Sequence, residues 1–203
     1  MAAAIKSIVF DLGGVLVDWN PRYLYRKMID DEARMEWFLA EICNGPWNLE
    51  QDRGRSFDEA VEVLLPHYPA EAELIKAYRD RWPEMLAGPI DGTVVVLDEL
   101  VAGGWPLHAI TNWSAETFPV AEARYPFLGH FRSITVSGQV GMVKPNEDIF
   151  LHFSEQQDVP PEGAVFIDDN AANIETAGRL GFDAIRFEGP AQLREALQLR
   201  GVL

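Results

Sequence analysis

Three short apolar runs in this chain each stop at a polar group: Lys6-Ser-Ile-Val-Phe-Asp11, Pro106-Leu-His-Ala-Ile-Thr111 and Ala164-Val-Phe-Ile-Asp168, the last followed by a second aspartate, Asp169. Runs this short, rich in β-branched and aromatic residues, suit strands buried on both faces, as in a parallel sheet covered by helices. Phe131-Arg-Ser-Ile-Thr-Val136 and Ala184-Ile-Arg-Phe187 extend the series. Helical patterns at 94–102 and 146–157 lie between them, with turn signals at Gly103-Gly104 and Pro160-Pro161. Strand and helix alternating at this spacing predict an α/β fold, and such sheets bind ligands at the carboxyl ends of their strands.

The alternation breaks between residues 21 and 89, where apolar residues recur at three- and four-residue spacing over 22–30, 32–41, 57–65 and 71–82 with no convincing strand. This predicts an all-helical insertion that leaves after the first strand and returns near Gly88-Pro-Ile-Asp-Gly92. The chain is thereby divided into a core, 1–18 and 90–203, and a helical cap, 19–89. Within the cap, the stretch Asn44-Gly-Pro-Trp47-Asn48-Leu-Glu-Gln51 is polar and aromatic enough to face a ligand, with Trp47 the candidate contact. The default place of tryptophan in a small protein is nevertheless the core.

At 203 residues the chain is long enough to bury a sizeable core, roughly 70% of its unfolded surface. Its formal net charge of −15 repels the phosphate backbone that dominates nucleic-acid affinity and argues against such a partner. A small phosphorylated substrate is compatible with that charge, because a metal ion and one or two cations can reverse the local sign. The single cysteine, Cys43, cannot form an internal disulfide, which predicts a reducing, cytoplasmic compartment. No run approaches the ~18–20 apolar residues of a membrane span, so no membrane partner is expected, and a monomer or homodimer fits equally.

In a parallel sheet Asp11, Thr111 and the pair Asp168-Asp169 converge at one edge, and Lys144, before Pro145, lies in a loop that enters a helix. Each has an ordinary structural alternative: Asp11 can shape a turn, Thr111 or Ser114 and the Asp168-Asp169-Asn170 group can cap helices, and Lys144 can be a solvated charge. The histidines, His67, His108, His130 and His152, show no ligand spacing and read as structural.

Taken together, Ile8-Val-Phe-Asp11-Leu-Gly-Gly-Val-Leu-Val-Asp18, Ile110-Thr111-Asn112, Gly141-Met-Val-Lys144-Pro145-Asn146 and Phe166-Ile-Asp168-Asp169-Asn170 resemble, in order, the four motifs of the haloacid dehalogenase superfamily. Thr111 follows Asp11 by 100 residues, room for a cap, and Lys144 and Asp168 follow after 33 and 24 more. The resemblance covers the whole chain and implies a Rossmann-like core with an inserted helical cap. It implies that Asp11 is a nucleophile forming an aspartyl-phosphate, that Thr111 and the backbone at Asn112 bind the phosphoryl group, and that Lys144 neutralises charge. It also implies Mg²⁺ held by Asp11, the carbonyl of Gly13 and the acidic pair Asp168-Asp169, with Asn173 as a buttress. A carboxylate is a weak nucleophile in water, and a metal that neutralises the phosphoryl oxygens lets two anions meet.

One position departs from the pattern. Most phosphatases of the superfamily carry a second aspartate two residues after the nucleophile, to protonate the leaving group, and here that position is Gly13. A subgroup with Asp-Leu-Gly, which includes sugar-phosphate phosphatases, looks like this chain. The implied function is a Mg²⁺-dependent phosphatase of a small phosphorylated metabolite, with Asp18, water or the substrate supplying the proton. The alternatives are a 2-haloacid dehalogenase-type hydrolase, which typically has an aromatic residue at position 13 and no paired acid, or a non-catalytic phosphate-binding member.

Overall fold

The computed structural model describes residues 4–203. Its strands are β1 (Ser7–Phe10), β2 (Val17–Trp19), β3 (Leu86–Pro89), β4 (Leu107–Thr111), β5 (Ser133–Val136), β6 (Ala164–Asp168) and β7 (Asp183–Arg186). Five of them form one sheet in the order β5-β4-β1-β6-β7, every pair parallel. The register aligns Phe10 with Ala109 and Ile167, so the ends of β1, β4 and β6 reach one edge together.

Successive residues of the three central strands point to opposite faces, as the pleat requires, and both faces are buried. Ile8 and Phe10 of β1, Leu107 and Ala109 of β4 and Val165 and Ile167 of β6 join one apolar cluster, while Val9, Ile110 and Phe166 join another. On the first face lie helices α6 (Asp91–Ala102), α7 (Phe118–Arg124) and α11 (Pro190–Leu199). On the second lie α9 (Glu147–Gln157) and α10 (Ala171–Leu180), through Phe150, Phe153 and Ala177. The short α8 (Ser137–Val140) follows β5. The result is the three-layer α/β arrangement expected of the strand and helix alternation.

Between β2 and β3 the chain forms α1 (Arg22–Tyr25), α2 (Glu32–Glu41), α3 (Gly45–Asp52), α4 (Phe57–Leu64) and α5 (Ala72–Asp80). Tyr25, Phe38, Trp47, Phe57 and Tyr78 pack together at their centre, Tyr25 against Phe38 and Trp47 against Tyr78 both at 4.9 Å between ring centroids. Two local expectations are corrected. Residues 86–89, predicted to contain no strand, form β3, which pairs antiparallel with β2 (Val17 opposite Pro89, Asp18 opposite Gly88). That pairing spans almost the whole insertion, so no local periodicity announces it. The helix expected over 22–30 ends at Tyr25, after which Lys27 and Met28 bond back only three residues. The polar stretch 44–51 is itself helical: Asn44 caps α3 by accepting from the Trp47 N–H at 2.8 Å, with a proline in the first turn. Among the described residues no helix is long and apolar enough to cross a membrane. Cys43 is buried and free.

Candidate active site

The edge where β1, β4 and β6 end gathers Asp11, Thr111, Lys144, Asp168 and Asp169. Asp11 follows β1 directly; its N–H donates to the Ile167 carbonyl at 2.8 Å and its Oδ1 accepts from the Leu12 N–H at 2.7 Å. The chain then turns sharply, with the Leu12 carbonyl accepting from Leu16 and Val17 and the Gly14 N–H donating to Val17. Gly14 has φ +75°, and a Cβ there would lie 2.5 Å from Asp169 Oδ2. Glycine at this position therefore answers both the left-handed backbone and the close approach of Asp169.

Lys144 is 2% exposed, so the solvated-surface alternative is excluded. Its ammonium lies 2.9 Å from Asp11 Oδ1 and 2.7 Å from Asp168 Oδ2. One cation thus serves two buried carboxylates. Burial works against the ammonium, yet Asp11 and Asp168 together hold its pKa above the ordinary lysine value. Asp11 is pushed up, first by burial and also by the charge of Asp168, with Lys144 opposing.

The adjacent aspartates differ in their commitments. Asp168, fully buried, accepts from Lys144, from the Asn170 N–H at 2.8 Å and from Asn173 Nδ2 at 3.0 Å on both oxygens. Its oxygens are occupied by the protein itself. Asp169 is exposed, and burial of part of its carboxyl, with the charge of Asp168, raises its pKa. One oxygen from each of Asp11, Asp168 and Asp169 can be chosen so that all lie within 4.8 Å of one another. A set of hard carboxylate oxygens this close fits a small divalent cation such as Mg²⁺. Thr111 Oγ1 ends β4 fully buried without a protein partner, an orphaned hydroxyl at the same edge.

Asn112 has a use that its motif does not reveal. Its side chain bonds both main-chain groups of Lys144. The next residue, Trp113, is held by Ser137, whose Oγ accepts from its N–H at 2.9 Å.

Above this edge a cavity of about 70 Å³ separates the sheet from the inserted helices. Gly13, Asn112 and Ser114 of the core border it, together with Trp19, Trp82 and, from α3, Asn48 and Asp52. Trp47, the expected contact, does not border it. Trp47 is buried in the middle of the helices and donates through Nε1 to the Ala60 carbonyl at 3.2 Å. At about 100° per residue the side of α3 that carries Asn48 and Asp52 is turned away from Trp47, and those two residues reach the cavity instead. They are one helical turn apart and joined, Asn48 Nδ2 donating to Asp52 Oδ2 at 3.1 Å. Tyr78 completes the chain by donating to Asn48 Oδ1 at 2.8 Å. Burial pushes the Asp52 carboxyl up to about 7, opposed by Lys144 and by the Ser114 backbone amide. The i, i+4 pair of polar residues at the end of a polar stretch was the available sequence signal. Asp18 is not among the residues bordering the cavity and accepts from the Tyr23 hydroxyl at 2.8 Å.

Residues 8–187 match the family model described as haloacid dehalogenase-like hydrolase. A sesquiterpene phosphatase of Aspergillus oryzae is 26% identical over 203 residues, covering 99% of this chain and 100% of its own. A drimenol cyclase of Aspergillus calidoustus is 26% identical over 196 residues; the match covers 95% of this chain but only 36% of that protein. A haloacid dehalogenase-family enzyme of Bacteroides thetaiotaomicron, solved with magnesium and inorganic phosphate, superposes with a TM-score of 0.69 at 21% identity, over 92% of this chain and 96% of that one.

Proposed function

Because this chain belongs to the haloacid dehalogenase-like hydrolase family, we propose that it is a Mg²⁺-dependent phosphatase that cleaves a small phosphomonoester through an aspartyl-phosphate on Asp11. The observation that carries this reading is the buried ammonium of Lys144 shared between Asp11 and Asp168 beside the open carboxylate of Asp169. Phosphatase activity in a relative aligned end to end, and the magnesium and phosphate bound by a protein of the same fold, support it.

In this reading Asp11 attacks phosphorus, and Lys144 neutralises charge on the nucleophile and on the incoming phosphoryl oxygens. Thr111 Oγ1, free of protein partners, and the Asn112 N–H donate to those oxygens. Asp11, Asp169 and the Gly13 carbonyl hold the cation, which supplies charge neutralisation that lets two anions approach. Asp168, with both oxygens occupied, positions Lys144. The substrate is a metabolite of modest size, a sugar phosphate being one such class, and the unbridged Cys43 suits a cytoplasmic setting.

Residues 19–89 act as the cap over this site. A cavity of about 70 Å³ is under half the roughly 150 Å³ that houses a benzene ring. Closure of the cap over a bound phosphomonoester excludes water.

The test is phosphate release from a panel of phosphomonoesters, with Mg²⁺ and with EDTA, beside halide release from 2-haloacids. Asp11→Asn and EDTA should each abolish phosphate release, and no halide should appear. Release that survives both, or metal-independent dehalogenation through Asp11, overturns the reading.

A further inference from the structure

We propose that Asp52, carried to the site by the cap helix α3, is the general acid and base of this reaction. It protonates the departing alcohol oxygen and then takes a proton from the water that frees the phosphate. The proposal rests on the phosphatase reading above, and it assigns the proton transfers that Gly13 cannot perform.

Cleaving an ester of an ordinary alcohol expels an alkoxide unless a proton is delivered as the bond breaks. Asp52 is the one ionisable side chain among the described residues that border the cavity. Gly13 borders it too, and a Cβ built there would meet nothing within 4 Å, so the space beside the nucleophile loop is open to a group arriving from the cap. Asp18, the acid nearest in sequence, is held by Tyr23 outside that lining.

Asp52 is oriented for the task. Its Oδ2 accepts from Asn48, itself fixed by the Tyr78 hydroxyl. Lys144 and the Ser114 backbone amide, both on the core, oppose the rise in its pKa, so this cap carboxyl faces the core across the seam. The ionisable groups facing it are Lys144 and the Tyr78 phenol. A carboxyl pushed up to about 7 populates both protonation states near neutrality, which suits one group acting first as acid and then as base.

The two steps close. In the first, an Asp11 oxygen forms a bond to phosphorus as the bond to the alcohol oxygen breaks; that oxygen keeps the electron pair, takes the proton of Asp52 and leaves as neutral alcohol. In the second, water attacks phosphorus and gives a proton to the Asp52 carboxylate. The bond to Asp11 breaks with its electron pair returning to Asp11, inorganic phosphate departs, and Asp52 is again protonated.

The experiment is a single-turnover leaving-group series on the Mg²⁺-loaded protein, from p-nitrophenyl phosphate through phenyl phosphate to simple alkyl phosphates, with phosphate on Asp11 and free phosphate followed separately. Wild type should respond weakly to leaving-group acidity. Asp52→Asn, nearly isosteric, should lose alkyl phosphates by ~10²–10⁴-fold. It should still transfer phosphate from p-nitrophenyl phosphate, whose phenolate leaves unaided, and should then accumulate phosphorylated Asp11 for want of a base. That retained transfer also shows that the variant folds. Gly13→Asp in the Asp52→Asn background should restore the weak dependence, since the side chain has room. Asp52→Asn with wild-type rates and dependence, or with a loss equal across the series, overturns the proposal while Asp11-dependent release leaves the phosphatase reading standing. Wild-type protein that forms no phosphate on Asp11 overturns both.

Discussion

The Asn112 side chain and the Lys144 main chain form a reciprocal pair: Asn112 Nδ2 donates to the Lys144 carbonyl at 2.9 Å, and the Lys144 N–H donates to Asn112 Oδ1 at 2.9 Å. The residue just after β4 thereby fixes, 32 positions away, the backbone from which the buried ammonium reaches Asp11 and Asp168. Asn112→Ala strands a donor and an acceptor, and an unsatisfied buried group costs about 1–3 kcal/mol. Urea midpoints should fall accordingly, and kcat should fall more than KM rises. Unchanged kcat would show that the ammonium is placed without this clamp.

Removing the ammonium has a larger effect. Lys144→Ala should raise the barrier by ~3–4 kcal/mol, the order of losing an oxyanion donor. It also removes the cation that opposes the upward shift of the buried Asp11, so Asp11 holds its proton still more strongly in the folded state than in the unfolded chain. A folded state that binds more protons loses stability as pH rises. The thermal midpoint of the variant should therefore fall behind wild type increasingly from about pH 5 to 8. A pH-independent deficit would contradict this.

Cation binding should follow the same titrations in the opposite sense. Burial holds Asp11 and Asp169 above the ordinary aspartate value, so protons compete with Mg²⁺ at acid pH. The rise in melting temperature on adding Mg²⁺ should be greater near pH 8 than near pH 6, a tenfold change in affinity being worth about 1.4 kcal/mol at saturating metal. Gly14→Ala, whose Cβ would press on Asp169 Oδ2 at 2.5 Å, should lose most of that rise. An equal shift at both pH values would argue against binding through these carboxylates.

The cap is tied to the core by the β2 and β3 pair, which brings 17–19 beside 86–89. Hydrogen exchange with tetrafluoroaluminate and Mg²⁺ should show added protection at both of these segments and in α3, where Asn48 and Asp52 meet the cavity. Protection unchanged there, with ligand demonstrably bound, would mark the cap as a fixed domain.

What the amino-acid sequence by itself determined is the central sheet and its polar edge. Burial on both faces is a property of a few consecutive residues, so Ile8-Val-Phe and Val165-Phe-Ile declare themselves locally, and parallel pairing then forces Asp11, Thr111 and Asp168 to one side. The tertiary structure decided the rest. It chose Asn48 and Asp52 over Trp47, because rotation about α3 assigns one face to the aromatic centre of the cap and the other to the cavity. It separated Asp168 from Asp169, identical in type and adjacent in sequence, because Lys144 and Asn173 arrive from other elements to occupy only the first. It formed β3 against β2 because two strands too short to signal themselves meet once the chain has passed through the whole insertion. In each case the deciding contact is made by residues distant in sequence, and its free energy exists only when the chain is folded.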